Sequence, residues 1–355
     1  MTTADAPATV SLLRSAPSAL AEYTLVRHRE LDPGLLARYG PNARASWRRE
    51  LESRLANLAS ALEVGRPELF ADFVLWQREG FAARGVDPAD LRRSLECLRE
   101  VLLAELPSAA AEGAARVVSG ALARFDAPAP GLVRGLAAEG PQRQLAARFL
   151  AELLEWRGEE AEQLVVEAVV SGVSPAEIYM HVFAPVEVEV GRMWHAGELS
   201  IAEEHYVTSA IQGLMSRLAA GHMRPARAGR TVVVCSVGGD AHDMAVRMLS
   251  DFFRWNGWSV RSLGAAMPAA DLVQAVADAR ADVVALSATM LSHVAAVLAT
   301  VRALRADERT RDLKLLVGGH PFNVAPDLWR ELGADGWAPD AQRAVDLAEQ
   351  LVSAG

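Results

Sequence analysis

Several things are scarce in this 355-residue sequence, and each scarcity narrows the choices. Lysine is nearly missing: Lys314 is the only one among 36 basic residues, so the positive charge is carried by arginine. Two cysteines, Cys97 and Cys235, cannot staple a secreted scaffold, so a reducing, cytoplasmic setting is expected. No run approaches the roughly 20 uninterrupted apolar residues of a membrane span, so no membrane partner is expected. The opening MTTADAPATVSLLRSAPSAL lacks the long apolar core of an export signal and reads as a polar arm, expected to be disordered over 1–20. Basic charge is also in deficit, 36 against 45 acidic residues for a net −9, which weighs against coating DNA. Apolar residues are not scarce: at 51% they exclude a disordered chain, and the length suggests two or three domains.

Residues 21–130 read as an all-helical domain. Trp47, Leu51, Leu55, Leu58 and Leu62 recur on one helical face, and a second amphipathic helix starts at Pro67. Asp87 followed by Pro88 is an N-cap and first helical residue, and a fourth helix lies near 109–124. His28, Arg44, Arg48, Arg49 and Cys97 form no pattern of a catalytic centre. The segment Ala127-Pro128-Ala129-Pro130-Gly131 is the expected boundary.

Residues 141–221 read as a second, four-helix bundle. Ser174-Pro175-Ala176-Glu177 and Ser200-Ile201-Ala202-Glu203 are capping boxes that start its third and fourth helices, and Pro185 is expected to kink the third. The short turn between these helices brings Trp194, His195, Glu204 and His205 toward one end of the bundle.

After a polar connector over 222–230 the period changes. Strands are expected near 231–236, 259–263, 282–287, 313–317 and 336–338, with helices near 242–256, 269–279, 292–306, 325–332 and 340–352. That alternation predicts a doubly wound parallel sheet over 230–355, whose ligands bind beyond the carboxyl ends of the strands. Those ends carry Asp240-Ala241-His242, Ser287-Ala288-Thr289 and Gly318-Gly319-His320. Glycines let a bulky ligand approach the backbone, hydroxyls can hydrogen-bond it, and an imidazole beside a carboxylate is a good ligand for cobalt or iron. For His320, directly after the glycines, contact with a bound tail and no contact stand on equal terms. His181 and His293 read as packing or surface groups, and Tyr179, Met180 and Phe183 as a core stripe.

These loops resemble the cobalamin-binding module of the methionine synthase type, a helical cap followed by a flavodoxin-like domain. The resemblance implies that His242 is the lower axial cobalt ligand and that the displaced nucleotide tail enters a tunnel lined by Ser287 and Gly318. Ala245 departs from the pattern, standing where that family usually has glycine. The bundle tip is similar to that of the CarH type of light-sensing cobalamin proteins: Trp194, nine intervening residues, then Glu204-His205. That resemblance implies that Trp194 and Glu204 accommodate the adenosyl group of adenosylcobalamin and that His195 takes the cobalt after photolysis. Because residues 20–126 do not look like the MerR-type DNA-binding front of CarH proteins, no direct DNA binding is expected, and the chain resembles the photocobilin group, which adds a bilin such as biliverdin.

The leading expectation is therefore a photoreceptor rather than an enzyme, a homo-oligomer signalling to an unidentified protein partner. The alternative is a corrinoid methyl carrier of a methyltransferase system.

Overall fold

The structure is a computed structural model and describes residues 6–128, 136, 140–222, 225 and 230–353. From Ala6 on, the polar opening expected to be disordered is helical. Helices α1 (Ala6–Ser15) and α2 (Pro17–Leu31) begin the N-terminal bundle, because Val10, Leu13, Leu20, Ala21 and Leu25 are spaced to bury one face and do so. The bundle continues through α3 (Leu35–Arg38), α4 (Ala43–Glu63), α5 (Pro67–Ala83), α6 (Pro88–Glu105) and α7 (Ser108–Ala123). Asp87 caps α6 as expected, accepting a hydrogen bond from the amide of Ala89. Of the expected boundary, residues 129–131 lie outside the described residues, as does most of the 222–230 connector.

The cap consists of α8 (Pro141–Leu154), α9 (Gly158–Val170), a long third helix and α12 (Ile201–Ala220). The third helix is α10 (Pro175–Ile178) running through a π turn at Tyr179–Phe183 into α11 (Ala184–His195). The π turn lies just ahead of Pro185, where the proline withholds an amide hydrogen and the ladder widens, so that the amide of Ala184 bonds the carbonyl of Tyr179. Both capping boxes form, with Ser174 and Ser200 each accepting from the amide of the glutamate three residues on.

The last unit is a five-stranded parallel sheet of order β2-β1-β3-β4-β5, built from β1 (Thr231–Val237), β2 (Ser259–Met267), β3 (Val283–Ser287), β4 (Lys314–Gly318) and β5 (Gly336–Trp337). Helices α13 (Met244–Trp255), α14 (Ala269–Ala279), α15 (Val294–Ala306), α16 (His320–Val324), α17 (Leu328–Leu332) and α18 (Ala341–Ser353) surround it. A short 3-10 turn, Leu291–His293, leads into α15. The doubly wound parallel fold is thus as expected. The helix expected at 325–332 is the shorter α17, which Gly333 ends, and α16, directly after the glycine pair, is a helix beyond those expected.

Alternation along β1 explains how the three units join. Val232 and Val234 point into a core shared with the cap, through Phe252, Phe253, Tyr179 and Phe183. Val233, Cys235 and Val237 point the other way, into a core that runs through Leu291, Val294 and Val297 to Leu55, Leu58 and Leu62 of the N-terminal bundle. The N-terminal region is therefore packed against the sheet unit rather than tethered to it.

Candidate cofactor site

The site begins with a loop. β1 ends at Val237, Gly239 takes a φ of 85° that only glycine adopts cheaply, and the chain turns back so that Asp240 is fully buried behind the strand ends. The carbonyl of Asp240 accepts hydrogen bonds from Ser236 Oγ at 2.6 Å and from the amide of Ala266 at 2.9 Å, which fixes the loop on β1 and β2. Its carboxylate is a hub. Oδ1 lies 2.7 Å from His242 Nδ1 and accepts from the His242 amide at 3.1 Å; Oδ2 accepts from the amide of Thr289 at 2.7 Å, and His293 Nδ1 lies 3.3 Å from it. Burial alone would raise the Asp240 carboxyl, but these donors outweigh it and hold it well below the usual carboxylate range.

The carboxylate in turn orients His242. The hydrogen bond to Asp240 raises the imidazole above its ordinary value against the effect of burial. With Nδ1 held, Nε2 is the ring nitrogen left to ligate, on a side chain 56% exposed beyond the strand ends.

Beside it, Ser287 and Gly318 line a largely apolar pocket of about 220 Å³ with Met180, Ala245, Met248 and Leu316. Two glycines shape its neighbourhood. A Cβ on Gly319, whose φ is 106°, would lie 2.0 Å from the carbonyl oxygen of Ala288, and one on Gly318 would lie 3.2 Å from that of Ala338. Ala245 stands in the wall of this pocket, so its methyl group narrows it. A larger hollow of about 1070 Å³, between α1, α4 and α7 and lined by Arg14, Arg116 and Arg302, is lined by none of the cofactor-site residues expected from the sequence.

The bundle tip is divided. Glu204 and His205 hydrogen-bond each other, Glu204 also accepts from Thr208 at 3.2 Å, and its charge reaches His242. Trp194 is 39% exposed. His195, one residue on, is turned the other way: it is buried against α5, its ring stacked on Trp76 at 3.7 Å. In this conformation the ring of His195, expected to reach the cobalt only after photolysis, is held on α5. His320 too is aimed at α5, its Nε2 lying 2.7 Å from Asp72 Oδ2.

Two residues that matter here carry no clear mark in the sequence. His293 reads as a packing group, yet it completes the Asp240 hub. Glu187 on α11 belongs to no motif at all: burial pushes its carboxyl up to about 7, with Glu204 and Asp243 adding to the effect against a hydrogen bond from Thr208, and its Oε1 is buried without a partner. Only its place one turn into a helix at the cap's inner side could have pointed to it.

An exposed imidazole held by a buried carboxylate, at strand ends that also shape an apolar pocket, is a fit receptacle for a corrinoid, and comparison with known proteins agrees. Residues 230–346 match the B12 binding domain family, and 145–219 match a second B12 binding domain family. The class of protein is thus a cobalamin-binding one, with a helical cap and a parallel-sheet domain. The chain is 29% identical over 170 residues to a corrinoid protein of Desulfitobacterium hafniense, covering 46% of this chain and 76% of that protein. It is 25% identical over 208 residues to the trimethylamine corrinoid protein of Methanosarcina barkeri, 58% of this chain and 94% of the relative. The monomethylamine corrinoid protein of the same organism superposes with a TM-score of 0.53 at 19% identity, over 59% of this chain and all of that one, a likeness of fold. Among the described residues no helix is long and apolar enough to cross a membrane.

Proposed function

We propose that the protein is a corrinoid carrier: it holds a cobalamin between cap and sheet domain and presents it to a separate methyltransferase, without being a catalyst itself. The observation that carries the reading is the Asp240–His242 pair, which holds Nδ1 and leaves Nε2 to ligate, at the same strand ends that shape the pocket at Ser287 and Gly318. When bound, the corrinoid would supply a cobalt that accepts and releases a methyl group, which is what the named relatives suggest. The protein's own residues supply the rest. His242 would hold the metal from below, Asp240 fixes its tautomer, the apolar pocket would take the nucleotide tail, and Glu187 and Glu204 line the cap side.

A second reading is favoured by one observation, the Trp194, Glu204 and His205 group at the tip: a light-responsive sensor that retains adenosylcobalamin, with His195 taking the cobalt when the adenosyl group leaves. Here His195 would first have to leave Trp76. Among the described residues nothing specifies a biliverdin, and neither reading includes one.

One set of spectra separates the readings. The protein is loaded with methylcobalamin or adenosylcobalamin in the dark, then either illuminated with green light or supplied with a methylamine-type corrinoid methyltransferase. A carrier exchanges its methyl group with the methyltransferase; a sensor changes spectrum and elution volume on illumination of the adenosyl form. If His242→Ala binds either cobalamin with unchanged spectrum and affinity, both readings fail.

A further inference from the structure

The N-terminal bundle is an addition to the module. Both matched families lie beyond residue 144, and relatives matched over nearly their whole length cover a little over half of this chain. Yet the bundle is not docked at random. One stripe of α5, with Asp72, Trp76 and Gly80 each one turn apart, faces the cofactor site.

At Gly80 the helix is thinned for a purpose. A Cβ there would lie 2.1 Å from His195 Cε1, far inside van der Waals contact with the imidazole ring. Glycine inside a helix costs about 1 kcal/mol relative to alanine, so its presence at this contact calls for a compensating interaction. The interaction is visible: His195 lies flat on Trp76, interplanar angle 15°, and its Nε2–H donates to the Trp76 carbonyl at 2.7 Å. That carbonyl belongs to the helical turn ending at residue 80, and only a glycine leaves it open from the side.

Four residues back, Asp72 is 8% exposed with Oδ1 buried and unpartnered, and its Oδ2 takes His320, the residue directly after the glycine pair. At the start of α5, Arg66 pairs with Asp327 and Glu331 of the sheet domain. One helix thus holds the end of the cap helix with one hand and the sheet loops with the other.

The geometry points to α5 as an in-chain gate on the corrinoid crevice: cap tip and sheet loops separate only when the His195–Trp76 and His320–Asp72 contacts break, so access to the crevice and docking of the N-terminal bundle are coupled. The inference rests on the proposed cofactor site for its function, but the coupling itself does not require the cofactor. The added bundle thereby acquires a role, since its helix α5 ties the cap tip to the sheet loops.

The test uses the full-length chain and two variants, Gly80→Ala, whose new methyl group expels the His195 ring, and Trp76→Leu, which removes the stack without adding bulk. In the cofactor-free protein, backbone hydrogen exchange over 192–199 and over 319–324 should speed up by about tenfold or more in both variants, while the helical circular dichroism stays that of the wild type. In protein loaded with hydroxocobalamin, replacement of the upper ligand by cyanide should quicken by a similar factor. Unchanged exchange at both segments in both variants overturns the gate. Exchange that rises only at 192–199 also overturns it, since the two contacts would then be independent. If the wild type binds no hydroxocobalamin, the proposed function fails while exchange still decides the coupling.

Discussion

At the scale of single residues, the sequence exposes what lies close along the chain and hides what the fold brings together. Asp240 and His242 share a loop, so their pairing can be foreseen; His293 reaches the same carboxylate from the other side of β3, and nothing local marks it. Glu187 is the clearest case of the hidden kind. It is an ordinary glutamate in an amphipathic helix until the cap closes over it and sets Glu204 and Asp243 nearby. With its folded pKa raised to about 7, it binds a proton in the fold that it does not bind in the unfolded chain between the ordinary carboxylate value and 7. Stability therefore falls as pH climbs through that window and is level above it. Glu187→Gln imitates the protonated form. It should be more stable than the wild type at pH 8, by on the order of 2 kcal/mol, since each tenfold difference in proton affinity between fold and unfolded chain is worth about 1.4 kcal/mol and the site keeps some access to water. At pH 4 the two proteins should be indistinguishable. Thermal melts of the cofactor-free protein at the two pH values check it, and a gain at pH 4 as large as at pH 8 would show that packing rather than ionisation is at work.

At the scale of elements, most of the sheet domain and cap is legible, because strands of β-branched residues, capping boxes and glycine stops are local signals. The strand positions agree within a few residues. The exceptions have physical causes. β2 runs on to Met267 because its later residues bond to β1 at irregular register, which no alternation announces. Residues 6–15 look disordered in the sequence since alanine, proline and serine dominate there, yet Val10 and Leu13 find a core made by α4 and α7. The Gly318–Gly319 step shows how an element end becomes a site: β4 must stop and turn within the space beneath the Ala288 carbonyl. Gly319→Ala should cost about 2–3 kcal/mol, since both the left-handed backbone and the 2.0 Å overlap oppose it. Because the strand end moves, cobalamin affinity should fall by about tenfold or more. A urea melt and a spectral titration measure the two effects, and an unchanged midpoint would mean that the loop relaxes without strain.

For the whole molecule, the decisive question is whether the N-terminal bundle is held by charge or by apolar burial. Besides the Asp72–His320 contact, its ion pairs to the sheet domain are those of Arg66 with Asp327 and Glu331, whose acidic partners are 57% and 49% exposed, and pairs of that kind are worth about 0–1 kcal/mol. The apolar contact is of another order. Leu291, 7% exposed, sits at the end of β3's loop where α4 and α5 pack on the sheet domain, within the one core that spans both units. Truncating a leucine in such a place costs about 2–4 kcal/mol. Burial therefore wins, and bundle and sheet domain should unfold as one cooperative unit. Calorimetry of the cofactor-free protein should show a single transition for the two, lowered by several degrees in Leu291→Ala and by about one degree or less in Arg66→Ala. The reverse order, or a bundle that already melts on its own in the wild type, would make the shared core energetically idle and leave the charges as the true fastening.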